Sequence, residues 1–130
     1  MTGKLTALFI LLLFSAAAAG ARGQSAEDPC APEAQRSPQL MACAERQLRE
    51  AEADLRDARR RLAADLEAPS RLKLGRAERA WLGYRKSNCA AEASIYEGGT
   101  IQPLIQTRCL ARVTRARAEE LRAQLRTLVD

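Results

Sequence analysis

The chain has 130 residues, about one domain's worth, with no histidine and only 4% aromatic residues. Its formal net charge of +5 comes from 21 basic side chains set among 16 acidic ones. Interleaved charges with few aromatics describe a solvated helix surface and argue against nucleic-acid binding.

The first 23 residues have the layout of a secretory leader: Lys4, an apolar run from Leu5 to Phe14, then the small-residue tract Ala16 to Ala21. The run is well short of the roughly 20 residues that span a bilayer. Cleavage is expected after Ala19, Ala21 or Gly23. Cys30 follows Glu27-Asp28-Pro29, which is unlike a lipoprotein cleavage box, so a soluble periplasmic or secreted domain is expected over 24–130. Losing Lys4 and Arg22 with the leader leaves 19 basic and 16 acidic side chains, a net charge of +3. Both Phe residues go with it, so the core must be built mostly from Leu and Ala.

Cys30, Cys43, Cys89 and Cys109 all lie in the mature part, and an even count in a short exported chain marks a disulfide framework. Four cysteines allow three pairings. Gly98-Gly99 lies midway between Cys89 and Cys109, as it would if two antiparallel helices were stapled across their shared turn. Ser37-Pro38, an N-cap followed by Pro at the first helical position, lies midway between Cys30 and Cys43. The pairs Cys89–Cys109 and Cys30–Cys43 are therefore favoured. A zinc site is not expected, because the spacings are unlike Cys-x-x-Cys and His is absent, and no cofactor is implied.

In chain order, a first helix is predicted from Pro38 to Ala68, ended by Pro69. Along it Met41, Leu48, Leu55 and Leu62 recur every seven residues, with Ala44, Ala51 and Ala58 three after the first three of them. A second helix is predicted from about Ser70 to Tyr96, with Leu74, Ala77, Trp81, Tyr84, Asn88, Ala91 and Ile95 on one face. After the Glu97-Gly98-Gly99-Thr100 turn, Pro103 suits the first turn of a third helix, with the stripe Leu110, Val113, Arg117, Leu121, Leu125 and Leu128. The fold class is all-α: an elongated three-helix antiparallel bundle stapled by two disulfides.

No catalytic site emerges. Without His, and with the cysteines paired, the usual nucleophile and base pairs are missing. Glu50, Asp54 and Asp57 share helix faces with Arg, which holds them as ion-paired carboxylates and not as raised-pKa acids. Arg117 interrupts an apolar stripe and Arg85 sits beside Trp81 and Tyr84. Both need a partner, either an ion pair with Glu78, Glu92 or an acid on the first helix, or a docking surface. The ion pair is preferred, because such Arg stems pack while their heads reach water. Trp81 reads as a core anchor, whereas Tyr84 and Tyr96 are candidates for contact.

The segment Glu78-Arg79-Ala80-Trp81-Leu82-Gly83-Tyr84-Arg85-Lys86-Ser87-Asn88-Cys89, followed by Glu97-Gly98-Gly99-Thr100, Cys109 and Thr114 to Arg117 to Leu121, resembles the LprI-like lysozyme-inhibitor family. Met41-Ala42-Cys43-Ala44 is similar to that family's N-terminal cysteine segment, and the resemblance covers about residues 30–125. One departure stands out: where members typically show Leu-Asn-x-x-Tyr, this chain has Leu55-Arg56-Asp57-Ala58-Arg59.

The resemblance implies an exported helical domain that binds and blocks lysozyme or a similar cell-wall hydrolase without being an enzyme. Tyr84, Arg85, Tyr96, Gly98, Gly99 and Thr100 are the candidate contact residues. A net charge of +3 gives no long-range steering toward a basic lysozyme, so docking would rest on local features, the acids Glu92 and Glu97 included. The alternative is an envelope structural or stress module, binding another envelope protein or an acidic surface polymer through its Arg-rich first and third helices.

Overall fold

The computed structural model describes residues 28–32 and 36–129. The expected leader lies outside them. Three helices carry the described chain: α1 (Ser37–Ala64), α2 (Ala68–Ser94) and α3 (Gln102–Val129). Among the described residues there is no strand. Among the described residues no helix is long and apolar enough to cross a membrane. The connections are short, so the path runs up, down and up, with α1 and α3 parallel and α2 antiparallel to both.

The first boundary corrects the sequence reading. α1 stops at Ala64, not at Ala68, and Pro69 opens α2 where it was expected to end α1. Proline is tolerated in the first turn of a helix because the N–H it lacks has no intrahelical partner there. Arg71 reaches back to donate a hydrogen bond to the Leu66 carbonyl at 2.6 Å, which satisfies part of this tight connection. At the start of α1 the cap residue is Arg36 and not Ser37. Its backbone N–H donates to Gln39 Oε1 at 3.3 Å.

α3 packs closely along α1 and less extensively on α2, while α1 and α2 barely touch. The α1–α3 seam is made of small residues. Ala44, Ala51 and Ala58 of α1 are each only 1% exposed, and they meet a buried row on α3 that includes Ala111, Thr114, Ala118 and Leu121. Both rows follow a seven-residue repeat with small side chains, which lets two parallel helices approach closely. This row differs from the expected α3 stripe. Leu110, Val113 and Leu125 are only half-buried at its edges, and Leu128 is exposed.

Large apolar side chains gather in one half of the bundle. Leu55, Ala58, Leu62, Ala118 and Leu121 form the core there, with Leu66, Leu74, Trp81 and Leu125 packed against it. The other half contains mainly Ala, Thr and Cys, and it is in this half that both disulfides lie. Cys30 is bonded to Cys43 and Cys89 to Cys109. Each bridge closes a loop worth about 3 kcal/mol in the chain-entropy model. Covalent closure thus holds the half that has the least apolar area to bury.

α2 is rotated relative to the sequence reading. Its inward face is Leu74, Glu78, Trp81, Arg85, Asn88, Cys89, Glu92 and Ala93, while Ala77, Tyr84, Ala91 and Ile95 face outward. The inward polar groups find partners on both neighbouring helices, which offsets their desolvation. Arg117 of α3 donates to Glu78 Oε1 through Nε at 3.0 Å and Nη2 at 2.7 Å. Burial disfavours the Arg117 charge, but the carboxylates of Glu120 and Glu78 outweigh it and raise its pKa.

Candidate functional site

The end of the bundle where α2 turns into α3 exposes apolar side chains of a kind usually found inside. Ile95 is 78% exposed, Tyr96 43% and Ile101 45%. The chain turns here through stacked backbone hydrogen bonds: Tyr96 N–H to Ala93 O at 3.0 Å, Gly99 N–H to Tyr96 O at 2.9 Å and Gln102 N–H to Gly99 O at 3.2 Å.

Both glycines suit this geometry. Gly98 has φ +76°, in the left-handed region where a side chain is strained. A Cβ on Gly99 would stand 3.1 Å from the Tyr96 carbonyl oxygen that the turn uses as an acceptor.

Beside the turn, a cavity of about 460 Å³ opens between the N-termini of α1 and α3. Its walls are mainly apolar and include Leu40, Met41, Thr100, Ile101, Pro103 and Leu104. Exposed isoleucines next to an apolar recess make a surface that gains by being covered.

Both disulfides lie near this tip. Cys43 and Cys109 lie six and seven residues into α1 and α3, and Cys89 five residues before the end of α2, so both disulfides sit within about 10 Å of the tip along the helix axes. The N-terminal segment is held at the same end, where Asp28 accepts the Cys30 N–H at 2.9 Å and pairs with Arg46 at 2.7 Å. The Cys30 hydrogen bond, together with Arg46, holds the Asp28 carboxyl below its ordinary pKa.

Of the residues singled out in the sequence, Tyr96, Gly98, Gly99 and Thr100 come together at this tip, all exposed. Tyr84 is 57% exposed but lies twelve residues earlier in sequence, on the outer face of α2, some 18 Å away at about 1.5 Å per residue. Arg85 points inward: its Nη1 lies 3.3 Å from Glu52 Oε1 and donates to Thr114 Oγ1 at 2.9 Å, and the guanidinium stands 5.4 Å from the Trp81 ring centroid. It joins all three helices through a partly buried ion pair. Glu92 is engaged by Arg112 at 2.6 Å, which leaves Glu97 as the exposed acid of the turn. The sequence reading missed Ile101 and the Leu40–Met41 wall, whose role depends on α1 and α3 starting at the same end.

Among the described residues no cluster of His, Cys, Asp or Glu could hold a metal ion. The acids near the middle of α1 are each tied to arginine: Glu52 to Arg85, Asp54 to Arg122 and Asp57 to Arg60 and Arg61.

Comparison with known proteins gives two findings. The profile of the family described as "Lysozyme inhibitor LprI" matches residues 30–121. The chain is also 32% identical over 97 residues to "Uncharacterized protein R02472" of Rhizobium meliloti (strain 1021), an alignment covering 64% of this chain and 69% of that protein. No solved structure matches.

Proposed function

The chain belongs to the LprI lysozyme-inhibitor family, and on that premise we propose that it is an exported, non-enzymatic binding protein that blocks a cell-wall hydrolase such as lysozyme. The contact surface is the α2–α3 tip, Ile95 to Ile101, with the adjoining recess between α1 and α3.

The observation that carries this reading is the exposure of Ile95, Tyr96 and Ile101 on a turn closed by the Cys89–Cys109 disulfide, with the second disulfide at the same end of the bundle. Aromatic and aliphatic anchors near the centre of an interface supply most of its binding energy. A surface already rigid before binding loses less entropy when it docks. The apolar character of the tip also answers the charge problem, since a net charge of +3 steers nothing toward a basic enzyme and affinity must come from contact.

Export accords with the leader-like start and with four cysteines joined in two bridges, the usual state outside the cytoplasm. The lack of any His and the pairing of all four cysteines support a binding role over a catalytic one. The test is hydrolase activity on cell-wall substrate with a molar excess of the oxidised mature protein. Dose-dependent loss of activity for at least one lysozyme type is expected, and unchanged activity across several types contradicts the proposal.

A further inference from the structure

A second surface lies on the flank of the bundle, where α1 and α2 stand apart. The space between them is a groove of about 290 Å³ lined by Glu52, Leu55, Arg56, Arg59, Glu78, Leu82 and Arg85. Its apolar part is Leu55 together with Leu82, which is 47% exposed although it lies mid-helix.

The charges of this groove are unevenly matched. Glu52 is paired with Arg85, and Glu78 with Arg117. The other nearby acids of α1, Asp54 and Asp57, are taken by Arg122, Arg60 and Arg61. Arg56 and Arg59 take part in no ion pair or hydrogen bond among the described residues. Two like charges three residues apart on one helix face are mildly unfavourable for the helix alone. Arg85 adds a third feature: its Nε is buried and has no hydrogen-bond partner among the described residues.

From this juxtaposition we infer that the α1–α2 groove is a docking site for a protein segment in which a carboxylate side chain stands beside an aliphatic or aromatic one. The planar guanidinium groups of Arg56 and Arg59 match a carboxylate, which each can bind through two parallel N–H donors. The neighbouring apolar side chain covers Leu82, beside the small exposed edge of Leu55. A uniform polyanion fits less well, because it brings no apolar group to that floor and meets the carboxylates of Glu52 and Glu78 along the same groove. The groove stands on the flank, well away from the tip, so this site does not depend on what the tip binds.

The test uses the full oxidised chain and a defined probe, the capped peptide Leu-Glu-Ala-Leu-Glu, with its Glu→Gln counterpart as the uncharged control. Backbone amide shifts are followed by NMR as the peptide is added. Saturable shifts at Leu55 to Arg59 and Leu82 to Lys86 are expected, with an affinity at least about tenfold higher for the Glu peptide. The R56Q/R59Q and R56E/R59E variants are expected to lose at least about tenfold in affinity. R115E, at an exposed position on α3, is expected to leave it unchanged. Both double variants change exposed positions, and their helicity and disulfides are checked first. Equal binding of the two peptides, insensitivity to either double variant, or no shifts up to millimolar peptide would overturn the inference. So would binding of polygalacturonate, sensitive to the same variants, where the peptide produces no shifts.

Discussion

Glu78 of α2 and Arg117 of α3 face each other inside the bundle, with two guanidinium nitrogens within 3.0 Å of one carboxylate oxygen. Both side chains are largely hidden from water, Glu78 at 6% and Arg117 at 14% exposure. The pair fixes which face of α2 turns inward, and so decides that Tyr84 and Ile95 point out and that Arg85 can reach Glu52 and Thr114.

Removing one partner is therefore costly. Glu78→Ala is expected to lower stability by about 1.5–3 kcal/mol, because a largely hidden guanidinium loses two charge-assisted hydrogen bonds and keeps only the exposed Glu120 as counter-charge. Replacing both residues by Leu is expected to recover most of that loss. Chemical denaturation of the three proteins measures the difference, and a Glu78→Ala loss under about 1 kcal/mol would place the pair at the solvated surface.

The α1–α3 seam has no room for larger side chains. Ala118 is fully buried against the Leu55, Ala58 and Leu62 cluster, so Ala118→Leu is expected to destabilise by about 1–3 kcal/mol through overpacking. Ala116→Leu, at an exposed position of the same helix, is expected to stay within about 0.5 kcal/mol of the parent. Thermal or denaturant unfolding distinguishes them.

The Cys89–Cys109 bridge is expected to hold the tip more than the core. Replacing both cysteines by Ser should cost about 3 kcal/mol overall. Hydrogen exchange should speed up first around Ala93 to Leu104 and last around Leu55 to Leu62, since local opening follows low apolar burial. Uniform acceleration along the chain would contradict the division into a packed half and a stapled half.

Acid should loosen the N-terminal tether. The Asp28 carboxyl sits below its ordinary pKa of 3.8, so its folded form binds its proton less readily than its unfolded form. Its stabilising contribution is thus complete above that ordinary value and is lost as pH falls through the lower, folded one. The stability difference between parent and Asp28→Asn should be constant from about pH 5 upward and shrink below about pH 4. A difference that grows on acidification would contradict the assignment.

Much of this architecture is legible in the sequence, and the misreadings share one cause. The heptad of Ala44, Ala51 and Ala58 indicates a close helix neighbour, and the midpoints at Gly98-Gly99 and Ser37-Pro38 indicate both disulfides. The face of α2 is misplaced because apolar spacing favours Ala77, Tyr84 and Ile95, while Glu78 and Arg85 turn inward toward charges supplied by other helices. Periodicity within one helix carries no information about such partners. On α3 the larger side chains Leu110 and Val113 draw attention from Ala111 and Ala118, yet close approach favours the small ones. At the tip, Tyr96 and the glycines stand out in the sequence, but Ile101 gains its meaning only beside Leu40 and Met41.

Inhibition titrations with tip variants test the central claim most directly. The oxidised parent should inhibit at least one cell-wall lysozyme stoichiometrically. The I95E/I101E variant, with helicity and disulfides intact, should lose at least about thirtyfold in potency, the loss of roughly 2 kcal/mol expected for interface anchors. Full inhibition by I95E/I101E, or no inhibition of any lysozyme type by the parent, would contradict it.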